Sequence, residues 1–135
     1  MQVNLNTQKN NRPNFGMAIH SNEVVNKVLK ARIKKPSELE KLNRIVNQQA
    51  KNDKIDINLM IMPDGKTLSA NVYSIDKEDS LSFAFFKNYS ENAFTKLFQG
   101  PVGFIEKVAK IADKQAAKIR QLEADTYEDI FSKMK

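Results

Sequence analysis

A chain of 135 residues, 41% hydrophobic and 28% charged, is sized for one core, because two cores would each be marginal. It has no cysteine, which excludes disulfides, thiolate nucleophiles and cysteine-ligated zinc or iron–sulfur centres, and no stretch nears the ~18 consecutive apolar residues of a membrane span. The net charge of +6 resides in the first third: residues 1–53 carry ten Lys/Arg against four Asp/Glu, residues 54–100 five against six, and residues 101–135 seven against six.

The opening, MQVNLNTQKNNRPN, offers almost nothing to bury and has no apolar targeting core, so residues 1–14 are expected to be a flexible polar arm and the location cytoplasmic. Residues 15–135 then form a single α+β domain. Phe15, Met17 and Ile19 alternate with Gly16, Ala18 and His20, which predicts a short strand anchoring the arm to the fold.

Ser21 is placed to cap a helix over about 22–34, whose stripe is Val24, Val25, Val28, Leu29 and Ile33, with Lys27, Lys30 and Lys34 opposite. Arg32 falls in the apolar arc, and is expected to lay its stem on the core edge with its head in water. After Pro36, the Ser37 and Glu40 spacing predicts a capping box opening a helix to about 51, buried through Leu39, Leu42, Ile45, Val46 and Ala50.

Asp64-Gly65 between alternating hydrophobics predicts a two-residue type I′ hairpin. The register follows: Ile61 faces Leu68, Leu59 faces Ala70, Ile57 faces Val72 and Ile55 faces Ser74 on the apolar side. Met62 with Thr67, Met60 with Ser69, Asn58 with Asn71 and Asp56 with Tyr73 make the other side. Beyond the charged connection 76–80, Leu81, Phe83 and Phe85 alternate as a third strand.

Ser90 is placed to cap a short helix bearing Phe94, Leu97 and Phe98, which Gly100-Pro101 ends while starting the next. A long helix over about 101–123 buries Val102, Ile105, Val108, Ala109, Ala112, Ala116, Ile119 and Leu122, and turns Lys107, Lys110, Lys114 and Lys118 outward. Asp125 and Glu128 have the spacing to cap a final short helix with Tyr127, Ile130 and Phe131.

The fold class expected is a two-layer α+β domain. A three-stranded antiparallel meander, with residues 15–19 as a candidate fourth strand, packs against helices including a long amphipathic one at the C-terminal end.

Catalytic chemistry finds little support. His20 is the only histidine, with no local nucleophile and carboxylate, and Ser21 beside it is explained as a cap. Asp76, Glu78 and Asp79 suit a solvated connection, lacking the glycine and distal glutamate of a calcium loop. Gly100-Pro101-Val102-Gly103 lacks the lysine and hydroxyl of a phosphate loop, and Gly103 is instead placed for close packing near the start of the long helix. The run SFAFFKNY departs from the aromatic strand of RNA-recognition motifs, because Leu81-Ser82 stands where a basic residue and glycine belong. No cofactor or metal is expected.

The leading expectation is a non-enzymatic interaction module, an adaptor, chaperone-like or assembly protein. It would bind another protein or a second copy through the long helix or a sheet face bearing Met60, Met62, Tyr73 and Phe86. The alternative is a nucleic-acid or other polyanion binder using Arg12, Lys27, Lys30, Lys34, Lys35 and Arg44. A carboxylate-based hydrolase or transferase ranks third.

Overall fold

In a computed structural model of the chain, residues 19–75 and 85–133 are described. The polar arm with Arg12, the anchor residues Phe15 and Met17, the acidic connection 76–80, and Leu81 and Phe83 lie outside them.

The elements are β1 (Ile19–His20), α1 (Glu23–Arg32), α2 (Pro36–Gln49), β2 (Ile55–Ile61), β3 (Leu68–Ser74), β4 (Phe86–Ser90), a π-helical turn (Thr95–Gln99) and α3 (Gly100–Lys133). The sheet runs in the order β1-β2-β3-β4. β2, β3 and β4 form the expected antiparallel meander, while β1 pairs with β2 in parallel. The two helices between β1 and β2 supply the long crossover that a parallel pair requires, whereas antiparallel neighbours can be joined by a tight turn.

The β2–β3 register is the one that the sequence dictates, from Ile55 opposite Ser74 to Ile61 opposite Leu68. The turn differs in type. Gly65 N–H donates to Met62 O at 2.9 Å, so Pro63 and Asp64 take the corner positions and Gly65, at φ 75°, follows them in the left-handed region. Asp64 then organises the return strand: Oδ1 accepts from the Lys66 and Thr67 amides, both at 2.8 Å, and Oδ2 from the Thr67 hydroxyl. Those bonds hold its carboxyl well below the usual carboxylate range.

All three helices bury into one apolar cluster. It joins Val25 and Leu29 of α1, Leu42, Ile45 and Val46 of α2, Ile55, Ile57, Leu59, Leu68, Ala70 and Val72 of the sheet, and α3 from Val102 to Ile119. Each large aliphatic side chain fully removed from water there stabilises by about 1.5–3 kcal/mol.

Several local expectations are corrected. Asn22 caps α1, its side chain accepting from Val25 N–H at 2.9 Å, while the Ser21 hydroxyl donates to Asn26 at 3.1 Å. The capping box does not form: α2 starts with Pro36 in its first turn and Lys35 at the cap position without a side-chain bond. Among the described residues the third strand of the meander is Phe86–Ser90, one residue past Phe85, while Leu81 and Phe83 of the expected strand lie outside them. Because Ser90 ends that strand, Asn92 takes over the capping, accepting from Thr95 N–H at 2.8 Å while Thr95 Oγ1 accepts from Asn92 N–H at 3.0 Å.

Gly100, at φ 70°, ends the π-helical turn and Pro101 enters α3, the stop and restart foreseen from this pair. A Cβ on Gly103 would stand 2.8 Å from Gln99 Cβ, which identifies the close neighbour that this glycine admits. The break expected near residue 124 is absent, because nothing there interrupts the helix. Asp125 accepts from Gln121 at 2.9 Å and Thr126 donates to Leu122 O at 2.8 Å, so both satisfy themselves within it.

Two polar locks set the helices on the sheet. Arg32 reaches Glu91 through two bonds of 2.6 and 2.9 Å, and Glu91, its side chain wholly buried, also accepts Leu68 N–H at 2.9 Å. The guanidinium therefore points into the structure, correcting the expectation that it sits in water. Between α2 and α3, buried Gln49 donates to Asp113 at 2.8 Å and accepts from Asn52 at 3.2 Å, and Asn52 Oδ1 accepts the Lys54 and Ile55 amides at 3.0 Å each. Lys54 with Glu123 at 2.8 Å and Asp53 with Arg120 at 3.2 Å extend that lock along α3.

Removing the guanidinium strands a buried carboxylate, so Arg32→Ala is expected to cost about 3–5 kcal/mol in urea denaturation. Arg32→Met combined with Glu91→Gln, which keeps an acceptor for Leu68 N–H, recovers most of that loss; equal losses in both would contradict the lock. At the turn, a Cβ on Gly65 meets nothing within 4 Å, so the penalty there is conformational alone. Gly65→Val is expected to cost about 1–3 kcal/mol, and Asp64→Asn to destabilise at pH 7 as well, because it removes the charge that the Lys66 and Thr67 donors stabilise and the second acceptor for the Thr67 hydroxyl. A tolerated Gly65→Val would reject the turn geometry.

Candidate functional site

The sheet has two unlike faces. Its inner face carries the core side chains above, and no outer-face side chain belongs to the apolar cluster. On the outer face the β-register sets three rows across the strands. The middle row is His20, Asn58, Asn71 and Asn88; to one side run Asp56, Tyr73 and Phe86, and to the other Met60, Ser69 and Ser90. Met62, opposite Thr67, ends the β2–β3 pair at the turn.

The polar row is partly self-satisfied. Asn88 Nδ2 donates to Asn71 Oδ1 at 2.6 Å and to Ser69 Oγ at 3.2 Å, and Asn71 Nδ2 lies 3.8 Å from Met60 Sδ. Around it the apolar groups stand in reach of a partner: Phe86 is 68% and Met62 38% exposed, with Met60 and Tyr73 half-buried. These are the four side chains that strand parity assigns to a contact face, and the structure brings all four to one surface.

At the β1 end of this face His20 Nε2 stands 3.3 Å from Asp56 Oδ2, across adjacent strands. Asp56 Oδ1 is buried and takes no hydrogen bond among the described residues. Burial raises the Tyr73 hydroxyl above its usual value, and the Asp56 charge adds to the shift. The sequence alone could not join His20 to Asp56, 36 residues apart; the parallel pairing of β1 does so. The pair lacks a nucleophile, since no hydroxyl bonds to His20 among the described residues, and no three His, Asp or Glu among them gather as a cation site.

The basic side chains divide. Lys27, Lys30 and Lys34, with Lys35 and Arg44, stand exposed and form no ion pair among the described residues. They do not line the lysine-rich groove among the described residues. That groove, of 540 Å³, lies along α3, where Lys107, Lys110 and Lys114 meet Lys41 of α2 beside Gln99 and Ile111. Lys41 bonds Glu106 at 3.0 Å and holds its carboxyl below its usual value, with Lys110 adding to the effect. A second hollow, 430 Å³, lies between α1 and the β2–β3 turn beside Val28, Arg32, Lys66 and Lys96.

One feature escaped sequence reasoning. Phe94, just before the π-helical turn, and Leu97 and Phe98 on it are 62%, 75% and 69% exposed, with the two rings 4.9 Å apart. Their helical spacing is that of an ordinary buried stripe, and no local signal says that this turn faces outward. Tyr127, Ile130 and Phe131 are exposed in the same way on α3 past Ile119. Among the described residues no helix is long and apolar enough to cross a membrane. Comparison with family models, curated proteins and solved structures gives no match.

Proposed function

We propose that this protein is a non-enzymatic interaction module whose outer sheet face is its contact surface for another protein. The observation that carries this reading is the one-sidedness of the fold: α1, α2 and α3 bury on the inner face, leaving Met60, Met62, Tyr73 and Phe86 around a polar row. Apolar groups interspersed with hydrogen-bonding amides suit a protein surface, which presents both. The incomplete His20–Asp56 pair favours a binding role over hydrolysis or group transfer.

The polyanion reading keeps one specific support, the groove of Lys41, Lys107, Lys110 and Lys114, and it moves from the first third of the chain to α2 and α3. Lysines spaced along an exposed helix face are also what solubility alone produces, so this reading stands second.

Two measurements separate them. A photo-crosslinking residue at Phe86 is expected to give protein adducts in the source cells, and one at Lys107 few; the reverse pattern would reject the sheet face. In a shift assay with generic DNA or RNA, no submicromolar binding is expected at about 150 mM salt. Binding there that weakens with a log-log salt slope near −0.9 per neutralised phosphate, and disappears in Lys107→Glu/Lys110→Glu/Lys114→Glu, would establish the second reading instead.

A further inference from the structure

We infer that two copies of the chain join edge to edge through β4, antiparallel, about a twofold axis at Asn88. This rests on the interaction-module reading and names a second copy as the occupant. β4 is the last strand of the sheet, so one side of its backbone has no neighbouring strand among the described residues. The side turned to β3 is fixed by three bonds: Phe85 O accepts from Ser74 N–H at 2.9 Å, Glu91 N–H donates to Leu68 O at 3.0 Å, and Tyr89 O accepts from Ser69 Oγ at 3.2 Å. Backbone polarity alternates along a strand, so the N–H and C=O groups of Phe86, Asn88 and Ser90 point away from β3.

That alternation restricts the symmetry. In a twofold antiparallel pair, the outward groups of Phe86, Asn88 and Ser90 must meet outward groups, which permits an axis at any residue from Phe86 to Ser90 and none between residues. Only at Asn88 do all three residues find partners, Asn88 with its own counterpart and Phe86 with Ser90, closing six backbone hydrogen bonds.

The side chains are self-complementary in that same register. On the outer face the exposed ring of Phe86 meets the small Ser90, whose hydroxyl lies 4.0 Å from Met62 Sδ, so the ring enters a shallow place bordered by methionine. On the inner face Lys87 stands opposite Tyr89, an ammonium against an aromatic ring. At the axis, Asn88 donates inward to Asn71 while its side-chain oxygen takes no hydrogen bond among the described residues, which leaves it for the seam. A lysine on an edge strand ordinarily deters pairing; this register keeps each Lys87 from its counterpart.

Sedimentation equilibrium tests the inference. The wild type is expected to form a reversible dimer that tightens as salt rises, because each copy carries +6 and screening relieves their repulsion. Phe86→Ser empties the seat and Ser90→Phe fills it twice, so each weakens the dimer at least about tenfold, whereas Phe86→Ser/Ser90→Phe exchanges ring and seat and restores it. A double variant no tighter than the singles would overturn the register. Because the chain has no cysteine, Asn88→Cys adds a second readout: it is expected to form a disulfide-linked dimer on mild oxidation, with Lys87→Cys far slower. A strictly monomeric wild type, with Phe86 crosslinking to some other protein, would reject this inference and leave the interaction-module reading standing; a monomer with no adducts at Phe86 would reject both.

Discussion

The buried carboxylate of Glu91 governs the arrangement of the sheet and its helices. It stands directly after β4, accepts the amide of Leu68 at the start of β3, and is neutralised by Arg32 at the last turn of α1. A charge with no exposed surface persists only with its counter-ion and further donors in place. Wherever Arg32 goes, the end of α1 must follow, so this contact fixes the helix against the β3–β4 end of the sheet. At the far side Gln49 and Asn52 perform the neutral equivalent, joining α2 and α3 to the first amides of β2. Between the two, all three helices are held to one face, and the other face and the β4 edge stand apart from the packing.

Much of this was legible from local pattern. The β2–β3 pairing followed from Asp64-Gly65 and strict alternation, and survived a wrong turn type because both geometries are symmetric about the same point. The buried side of α3 up to Ile119 and the restart at Gly100-Pro101 were visible for the same reason: helical spacing and backbone chemistry are properties of neighbouring residues. What local pattern missed lies across long separations. Arg32 and Glu91 are 59 positions apart, and nothing near Arg32 distinguishes a guanidinium bound for a buried carboxylate from one bound for water. Phe86–Ser90 was missed as strand because Phe83 and Phe85 alternate more strongly, yet an edge strand needs backbone partners on one side only and tolerates Lys87 and Asn88.

The candidate surface divides along the same line. Met60, Met62, Tyr73 and Phe86 were assigned to one face by parity, and the asparagine row follows once β3 is paired to β4. The His20–Asp56 contact required the parallel direction of β1, which depends on two intervening helices. The exposed rings of Phe94 and Phe98 had no signal at all, since an apolar stripe at helical spacing does not say whether another element lies over it.

Among the described residues the helices crowd one side of the sheet and leave β4 as a free edge. Residue-resolved amide hydrogen exchange at low micromolar concentration, where self-association is negligible, tests it most directly. Alternating protection is predicted along one strand: slow exchange at Lys87, Tyr89 and Glu91, whose amides face β3, and rapid exchange at Phe86, Asn88 and Ser90. Slow exchange at all six under dilution would contradict the claim, because it would mean that another part of the chain already covers the edge.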